Sequence, residues 1–342
     1  MRPRLLGLAT AVPDHILGQD AVATYARHLF EGRTEAFRRL AEIYGNAGIA
    51  KRHSCVPIEW YLSEHGWAER SRLYIDAGLE LAERTTRDCL EASGLGLDDI
   101  DGLVTVSTTG IATPSLDARL QERLGLRRDL QRLPIFGLGC AGGVLGLTRA
   151  AALARAEPGS RILCVVIELC GLTFRPADSS PANIVATALF GDGAAAAMVS
   201  TAGDGPVLGP WGEHSFPGSL GVMGWDVADD GFGVRFSRDI PALIRRDFVA
   251  AMNGFFERHG LALADFDGFA AHPGGAKVLD ALEETLARPL PESRAVLHDF
   301  GNMSAPTVLF VLDRMRDAWD RRLLMTALGP GFTAGFLAMG LP

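Results

Sequence analysis

The feature that most constrains the fold of this chain is an internal duplication. Three motifs of the first half recur in the same order in the second half. Because chance rarely repeats three motifs in order, we predict two similar structural halves. The matched pairs are residues 97–102 with 263–268, the strand and helix around Cys140 with the segment and helix around Asn302, and residues 188–199 with 327–338.

The boundary between the halves is predicted near residues 201–206, where Gly, Asp and Pro cluster. This places an N-terminal half at residues 1–203 and a C-terminal half at residues 204–342. Near-continuous apolar segments such as residues 161–168 alternate with amphipathic segments such as residues 72–92. That alternation is typical of an α/β fold in which helices cover a sheet of buried strands.

Composition and charge narrow the class of protein. The chain has 342 residues, 48% of them hydrophobic, which indicates sizeable cores. A formal net charge of −8 gives no overall attraction to nucleic acid or to an anionic membrane. The five cysteines have no paired spacing, which predicts free thiols in a reducing cytoplasm. They also lack the spacing with histidine that is typical of zinc sites, so no metal site is predicted. The apolar start is interpreted as a core strand, and no apolar run is long enough to span a membrane.

Cys140 is the first candidate for chemistry. It follows the apolar run at residues 133–136 and a glycine turn, and it precedes an apolar helix. Unpaired N–H groups at a helix N-terminus favour a thiolate and lower the pKa of a cysteine. The sequence therefore predicts a reactive nucleophile, although a small buried cysteine in a helix-packing motif fits the same pattern.

Two further residues form a set with Cys140. The duplication places Asn302 at the position in the second half that Cys140 occupies in the first, and His272 is followed by a proline and two glycines at the end of a repeated strand. Taken singly, His272 is a loop residue and Asn302 a helix cap. Together the three predict attack of a thiolate on a thioester or amide carbonyl, with an amide group that orients the histidine or holds an oxyanion.

A papain-like protease has the same order of Cys, His and Asn but a different local signature around the cysteine. The motifs of this chain resemble instead the type III polyketide synthases of the chalcone synthase family, along nearly the whole sequence. The motifs that carry the resemblance are residues 139–143, 188–193, 272–275, 301–304 and 329–331.

The resemblance implies a thiolase fold, which is a duplicated five-layer αβαβα arrangement, and a homodimer. It also implies iterative condensation of malonyl-CoA on a cysteine-bound acyl starter taken from acyl-CoA, without an acyl carrier protein and without a further cofactor. By this resemblance Cys140 carries the acyl chain. His272 and Asn302 bind the malonyl thioester as it loses CO2, and His272 keeps Cys140 ionised.

The resemblance also assigns the walls of a substrate cavity. Phe190 matches one of two phenylalanines that separate the coenzyme A tunnel from the cavity, and the second position is matched to Val234, which we expect to widen the tunnel. Trp225 falls where a small cavity residue is usual, so it either narrows one lobe or packs as an ordinary core tryptophan. The remaining residues expected to bind substrate are Thr108, Cys170, Thr173, Ser304, Gly329, Pro330 and Gly331.

The coenzyme A contacts are expected at basic residues. Lys51 and Arg52 precede the region where the family has basic residues at the tunnel mouth, and Lys277 follows His272 by about one helical turn. The segments around Trp225 and Cys170 look most like bacterial enzymes that make alkylpyrones or alkylresorcinols from fatty acyl-CoA. The alternatives are a malonyl-primed synthase of the tetrahydroxynaphthalene type and a single-condensation enzyme like ketoacyl synthase III.

Overall fold

The computed structural model describes residues 1–340, apart from the side chain of Ala36. Leu341 and Pro342, the end of the predicted C-terminal half, lie outside the described residues. The strands are β1 (Arg4–Ala11), β2 (His15–Gly18), β3 (Lys51–Ser54), β4 (Gly102–Val106), β5 (Gln131–Ile135), β6 (Arg161–Leu169), β7 (Asp192–Ser200), β8 (Leu208–Ser215), β9 (Met223–Ala228), β10 (Gly231–Phe236), β11 (Gly268–Ala271), β12 (Leu323–Gly329) and β13 (Thr333–Met339).

The helices are α1 (Gln19–Phe30), α2 (Glu35–Leu40), α3 (Ile43–Asn46), α4 (Trp67–Ser93), α5 (Leu116–Leu124), α6 (Gly142–Ala156), α7 (Pro181–Leu189), α8 (Ile240–Leu243), α9 (Val249–His259), α10 (Ala276–Leu286), α11 (Pro291–Phe300) and α12 (Thr307–Arg314). A π-helical segment, Ile244–Phe248, joins α8 to α9. None of the helices within residues 1–340 combines the length and the apolar character needed to cross a membrane.

The two halves repeat one sheet topology. In the first sheet the order is β1-β7-β6-β4-β5, and in the second it is β8-β13-β12-β11. Counted from β1 in the first sheet and from β8 in the second, the first two strand pairs are antiparallel and the third pair is parallel. The change from one sheet to the other falls between the end of β7 and the start of β8. The similarity of the halves, predicted from three repeated motifs, is therefore present in the strand order.

One part of the predicted repeat is wrong. The repeat matches the strand before Cys140 to the segment before Asn302, but that segment is helix α11. The second sheet accordingly lacks a counterpart of β5 among the described residues. Pro291 at the first position of α11 suits a helix start, because its missing N–H is one that a helix leaves unpaired.

Five layers follow from how the helices cover the two sheets. Helices α6 and α12 lie between the sheets and contact strands of both. Helix α4 packs on the outer face of the first sheet, and α9 packs on the outer face of the second. A separate apolar core fills each of these interfaces. The central layer is apolar on all sides, as the sequence of α6 indicates, because it is buried between two sheets.

Candidate active site

The turn that carries Cys140 is shaped by close contacts with the second half. Gly139 has φ of 47°, and a Cβ there would lie 2.6 Å from Cδ of Pro330. A Cβ on Gly143 would lie 2.2 Å from the carbonyl oxygen of Ala305. Only glycine permits both approaches. They bring the start of α6 against the segment before α12, where the Sγ of Cys140 lies 3.6 Å from the Oγ of Ser304.

Asn302 is held from two sides. Its Nδ2 donates to the carbonyl oxygen of Gly274 at 3.1 Å, and its Oδ1 accepts from the backbone N–H of Ser304 at 2.8 Å. The side chain is fully buried. Because an amide nitrogen carries two N–H groups, one remains for a ligand after the bond to Gly274.

His272 follows the end of β11, and its backbone N–H donates to the carbonyl oxygen of Thr326. Its side chain is buried, and neither ring nitrogen has a hydrogen-bond partner. Burial lowers the pKa of His272 to about 3. The resting imidazole is therefore neutral at physiological pH, with one nitrogen able to donate and the other able to accept a proton.

Cys140, His272 and Asn302 converge on one cavity, which we call the central cavity. Its other walls are apolar or backbone, from Met223, Phe236, Ile240, Gly274, Val278, Leu282, Thr326, Ala327 and Leu328. The chemistry-bearing groups thus face each other in a largely water-excluded space, where hydrogen bonds to a developing charge are stronger than in water.

Burial overturns the expected ionisation of Cys140. The pKa of its thiol is raised to about 12, mainly by burial, although hydrogen bonds that pair the sulfur with the side chains of Ser304 and Asn302 lower it. The prediction of a thiolate kept ionised by His272 is therefore wrong for the resting protein. Instead a protonated thiol and a neutral imidazole line the same cavity.

A second aromatic residue lies against Phe190, contrary to the expectation that Val234 stands in its place. Phe236 lies opposite Phe190, with ring centroids 6.5 Å apart and an edge-to-face angle of 79°. Phe236 lines the central cavity and also the larger outer cavity described below. Val234 lies two residues earlier in β10 and lines a different cavity, so it does not widen this passage.

That different cavity, the apolar cavity, lies between α1, α7 and the turn at residues 170–173. Four of the predicted substrate residues line it, namely Cys170, Thr173, Phe190 and Val234. Most of its other walls are apolar, including Leu17, Val22, Ala26, Leu29, Phe30 and Phe174. The pKa of the Cys170 thiol is raised by burial first, and then by the nearby Glu168, Asp192 and Cys140. The apolar and central cavities have different lining residues, and Cys170 belongs to the first and Cys140 to the second.

The outer cavity meets the central cavity at Phe236, Ile240, Gly274 and Val278. Lys277 lies in its wall. Arg39 and Arg238 lie there too, and both were missed by sequence reasoning because an isolated surface arginine carries no pattern. All three side chains are exposed, and within residues 1–340 none forms an ion pair. We call this opening the basic mouth.

Lys51 and Arg52 are not part of the basic mouth. Lys51 is exposed in β3. Arg52 is buried, and its guanidinium donates to the carbonyl oxygens of Thr187 and Phe190 and to Oε1 of Gln19. A side chain with these internal partners does not reach a phosphate in solvent, which corrects the expectation for Arg52.

Thr108 connects several groups behind Cys140. Its Oγ1 accepts from the N–H of Gly139, its N–H donates to Glu168, and its carbonyl oxygen accepts from Nε1 of Trp225. Trp225 also stacks on Phe232, with centroids 6.0 Å apart. It is not among the residues that line the central or the apolar cavity. Trp225 therefore braces the Thr108 loop, in contrast to the predicted narrowing of a cavity lobe.

The loop of Gly329, Pro330 and Gly331 also supports the Cys140 turn. A Cβ on Gly329 would lie 2.5 Å from the carbonyl oxygen of Leu138, and Pro330 packs on Gly139. The carbonyl oxygen of Gly331 accepts from the hydroxyl of Ser219. These contacts place the loop against the outside of the turn, and none of its three residues lines the central cavity.

Glu168 is a buried carboxylate that sequence reasoning did not select. Its Oε2 accepts from the N–H groups of Thr108 and Thr109 and from the Oγ1 of Thr109, while Oε1 has no partner. Burial raises its pKa to about 7. A carboxylate at the end of an otherwise apolar strand, β6, was the signal available in the sequence.

Comparison with known proteins defines the family. The family model "Chalcone and stilbene synthases, N-terminal domain" matches residues 2–203, and the corresponding C-terminal domain matches residues 212–340. A 1,3,6,8-tetrahydroxynaphthalene synthase from Streptomyces peucetius subsp. caesius is 36% identical, over 96% of this chain and 91% of that protein. Type III polyketide synthase C from Arabidopsis thaliana is 30% identical, over 98% of this chain and 95% of that protein.

Among solved structures, the 1,3,6,8-tetrahydroxynaphthalene synthase of Streptomyces coelicolor A3(2) superimposes with a TM-score of 0.94 at 29% identity, over 98% of each chain. The fold is thus the predicted thiolase fold, and the chain belongs to the chalcone and stilbene synthase family. Within that family it is a type III polyketide synthase, an acyltransferase that carries out decarboxylative Claisen condensations.

Proposed function

We propose that this enzyme transfers an acyl group from acyl-CoA to Cys140 and extends it by repeated condensation with malonyl-CoA. The observation that carries the proposal is the shared cavity of Cys140, His272 and Asn302. In the first step the neutral imidazole of His272 accepts the thiol proton. The thiolate then attacks the acyl thioester, and coenzyme A leaves with the proton returned from His272.

The extension step uses the donors that remain free. His272 and Asn302 donate to the thioester carbonyl oxygen of malonyl-CoA, so that loss of CO2 leaves an enolate stabilised by two hydrogen bonds. The enolate carbon attacks the acyl-Cys140 thioester and expels the thiolate. The product is a β-ketoacyl-CoA two carbons longer, which is returned to Cys140 for the next round. No cofactor takes part in these steps, and no acyl carrier protein is needed.

Coenzyme A is proposed to lie in the outer cavity. Arg39, Arg238 and Lys277 surround the opening and pair with no carboxylate among the described residues, so they are available to phosphate groups. The pantetheine arm then passes Phe236 to reach Cys140. Of the three basic residues that the sequence suggests for coenzyme A, this route uses Lys277, and Arg39 and Arg238 take the place of Lys51 and Arg52.

For the starter we propose a medium or long fatty acyl group, with alkylpyrones or alkylresorcinols as products. The supporting observation is the apolar cavity next to Cys170. An aliphatic chain buried there gains about 0.8 kcal/mol per methylene, or roughly fourfold in affinity for each carbon.

A second candidate is a malonyl-primed synthase that makes an aromatic pentaketide. The 36% identical relative from Streptomyces peucetius is named as a 1,3,6,8-tetrahydroxynaphthalene synthase, which favours this alternative. The substrate of such an enzyme has no alkyl tail, so it would leave the apolar cavity beside Cys170 without a ligand group to bury.

The two candidates are separated by the products formed from malonyl-CoA with starters of increasing length. We expect kcat/KM to rise from acetyl-CoA to decanoyl-CoA by at least a hundredfold, with triketide and tetraketide products identified by mass spectrometry. Formation of an aromatic pentaketide from malonyl-CoA alone, with no gain from added fatty acyl-CoA, would instead establish the second candidate.

We also propose that the enzyme is a homodimer. Strand β5 is the edge of the first sheet, and among the described residues it pairs only with β4. Leu133 and Phe136 are exposed at this edge, with 37% and 55% of their surface accessible. An unpaired edge strand with apolar side chains is a surface that a second copy can cover by a symmetric contact.

A further inference from the structure

Arg52 is a buried cation that pairs with no carboxylate in the part of the chain that the structure describes. Only 2% of its surface is exposed. Its three hydrogen bonds go to neutral acceptors, at Thr187, Phe190 and Gln19. The N–H at its Nε has no acceptor, and Arg52 forms no ion pair within residues 1–340. Thr187 and Phe190 lie at the C-terminal end of α7, where a cation is favourable, so the unmet requirement of Arg52 is the N–H at its Nε, for which an oxygen of a ligand would be an acceptor.

The position of Arg52 points to the ligand. Arg52 lines the apolar cavity, as do Cys170 and Phe190. Arg52 donates to the carbonyl oxygen of Phe190, whose ring contacts Phe236 in the wall of the central cavity. An acyl chain that extends from Cys140 past Cys170 enters the cavity that Arg52 lines, so its carbons beyond the thioester share that cavity with the guanidinium.

We infer that Arg52 binds a keto or enolate oxygen of the growing polyketide chain and thereby favours further extension over early release. The inference rests on the proposed function, because the oxygens are those that each malonyl-CoA extension adds. A starter acyl group has no oxygen at these carbons, whereas the chain after one or more extensions has one at every second carbon. Arg52 stays charged at neutral pH, since burial lowers its pKa only to about 10.

The test compares the products of wild-type enzyme and Arg52→Met from decanoyl-CoA and malonyl-CoA. A hydrogen bond to a charged group changes a binding constant by about tenfold or more. We expect the tetraketide to triketide ratio to fall by about tenfold in Arg52→Met. Arg70→Met is the matched control, because Arg70 is also buried and also donates to three carbonyl oxygens, of His65, Leu172 and Phe174, yet it does not line the apolar cavity. Its ratio should stay at the wild-type value.

A binding measurement keeps the inference testable if Arg52→Met does not fold or if extension fails. In Cys140→Ala protein, 3-oxodecanoyl-CoA should bind about tenfold more tightly than decanoyl-CoA, and Arg52→Lys in the same background should lose most of that preference. Equal binding of the two ligands, an unchanged ratio in Arg52→Met or an equal fall in Arg70→Met would overturn the role of Arg52. Wild-type enzyme that releases no CO2 from malonyl-CoA would overturn the proposed function instead, while the binding comparison still decides the role of Arg52.

Discussion

Two effects of opposite sign act on the thiol of Cys140. The N-terminus of α6 favours a thiolate by up to about 2 kcal/mol. Transfer of the sulfur to a buried site disfavours the thiolate, and burial is the largest influence on its pKa, which rises to about 12. Sequence reasoning saw the helix start and not the burial, because the cavity is closed by residues from the other half of the chain.

The reactivity of Cys140 towards a small alkylating agent is therefore expected to rise with pH. Since the folded pKa is above the usual value of a cysteine, the thiolate fraction should grow about tenfold per pH unit between pH 6 and pH 9. Rates of iodoacetamide labelling at Cys140, followed by peptide mass spectrometry, measure this directly. A labelling rate that is already level below pH 7 would show that the resting residue is a thiolate.

Asn302 is predicted to act on the malonyl group and not on starter uptake. Removal of one oxyanion donor typically costs about 10²–10³ in rate. Asn302→Ala should therefore lose this factor in CO2 release from malonyl-CoA while Cys140 still accepts a starter. Because Asn302 also binds Ser304 and Gly274, the melting temperature is measured alongside. Normal CO2 release in a folded variant would reduce Asn302 to a structural role.

At the scale of elements, the Cys140 turn is held by segments from both halves. The Thr108 loop holds Gly139 from one side, and the loop around Pro330 packs on it from the other. Glu168 holds the Thr108 loop through three hydrogen bonds. A single sequence shows each of these segments as a polar or glycine-rich loop, so their common target becomes visible only in the fold.

Glu168→Gln tests how the buried carboxyl affects stability. Its folded pKa, about 7, lies above the unfolded value near 4.5, so the folded protein holds this proton more tightly. Wild-type stability therefore falls as pH rises from about 4.5 to 7, by up to roughly 3 kcal/mol from this group. The variant lacks this loss, so its melting temperature relative to wild type should rise with pH across that window. A constant difference would show that Glu168 ionises normally.

Particular elements show where sequence reasoning succeeded and failed. Helix α10 runs from Ala276 to Leu286, where the apolar spacing and the preceding glycines are local signals that the sequence shows directly. The segment before Asn302 was assigned to a strand by analogy with the other half, and it is a helix because the local sequence begins with proline and has helical spacing. Phe236, the ring that contacts Phe190, lies two positions from the predicted match at Val234, since the register of β10 depends on pairing with β9.

At the scale of the whole molecule, the duplication explains the position of the site. Cys140 precedes α6 and Asn302 precedes α12, and these two helices form the central layer between the sheets. Their N-terminal ends therefore meet, and His272 arrives from the edge strand β11 of the second sheet. The convergence of the three residues could be predicted from the repeat. The cavities around them could not, because their walls combine segments that are more than 100 residues apart.

The edge of the first sheet is the predicted contact between two copies. Leu133→Asp would place a charge on the exposed side of β5, where it would be buried in a symmetric contact at a cost of several kcal/mol. We expect wild type to be a dimer and this variant a monomer in light scattering after size exclusion, with unchanged circular dichroism. Arg128→Asp, at an exposed site before β5, is the control for added charge. Dimeric Leu133→Asp protein would place the contact elsewhere.

The most direct test of the central claim is to find the residue that carries the acyl chain. Wild-type enzyme is incubated with decanoyl-CoA, denatured and digested, and the peptides are analysed by mass spectrometry. The account predicts a decanoyl thioester on Cys140, absent from Cys140→Ala, while that variant still releases CO2 from malonyl-CoA because His272 and Asn302 remain. A decanoyl group on Cys170 or Cys164, or a Cys140→Ala variant that still forms extended products, would contradict it.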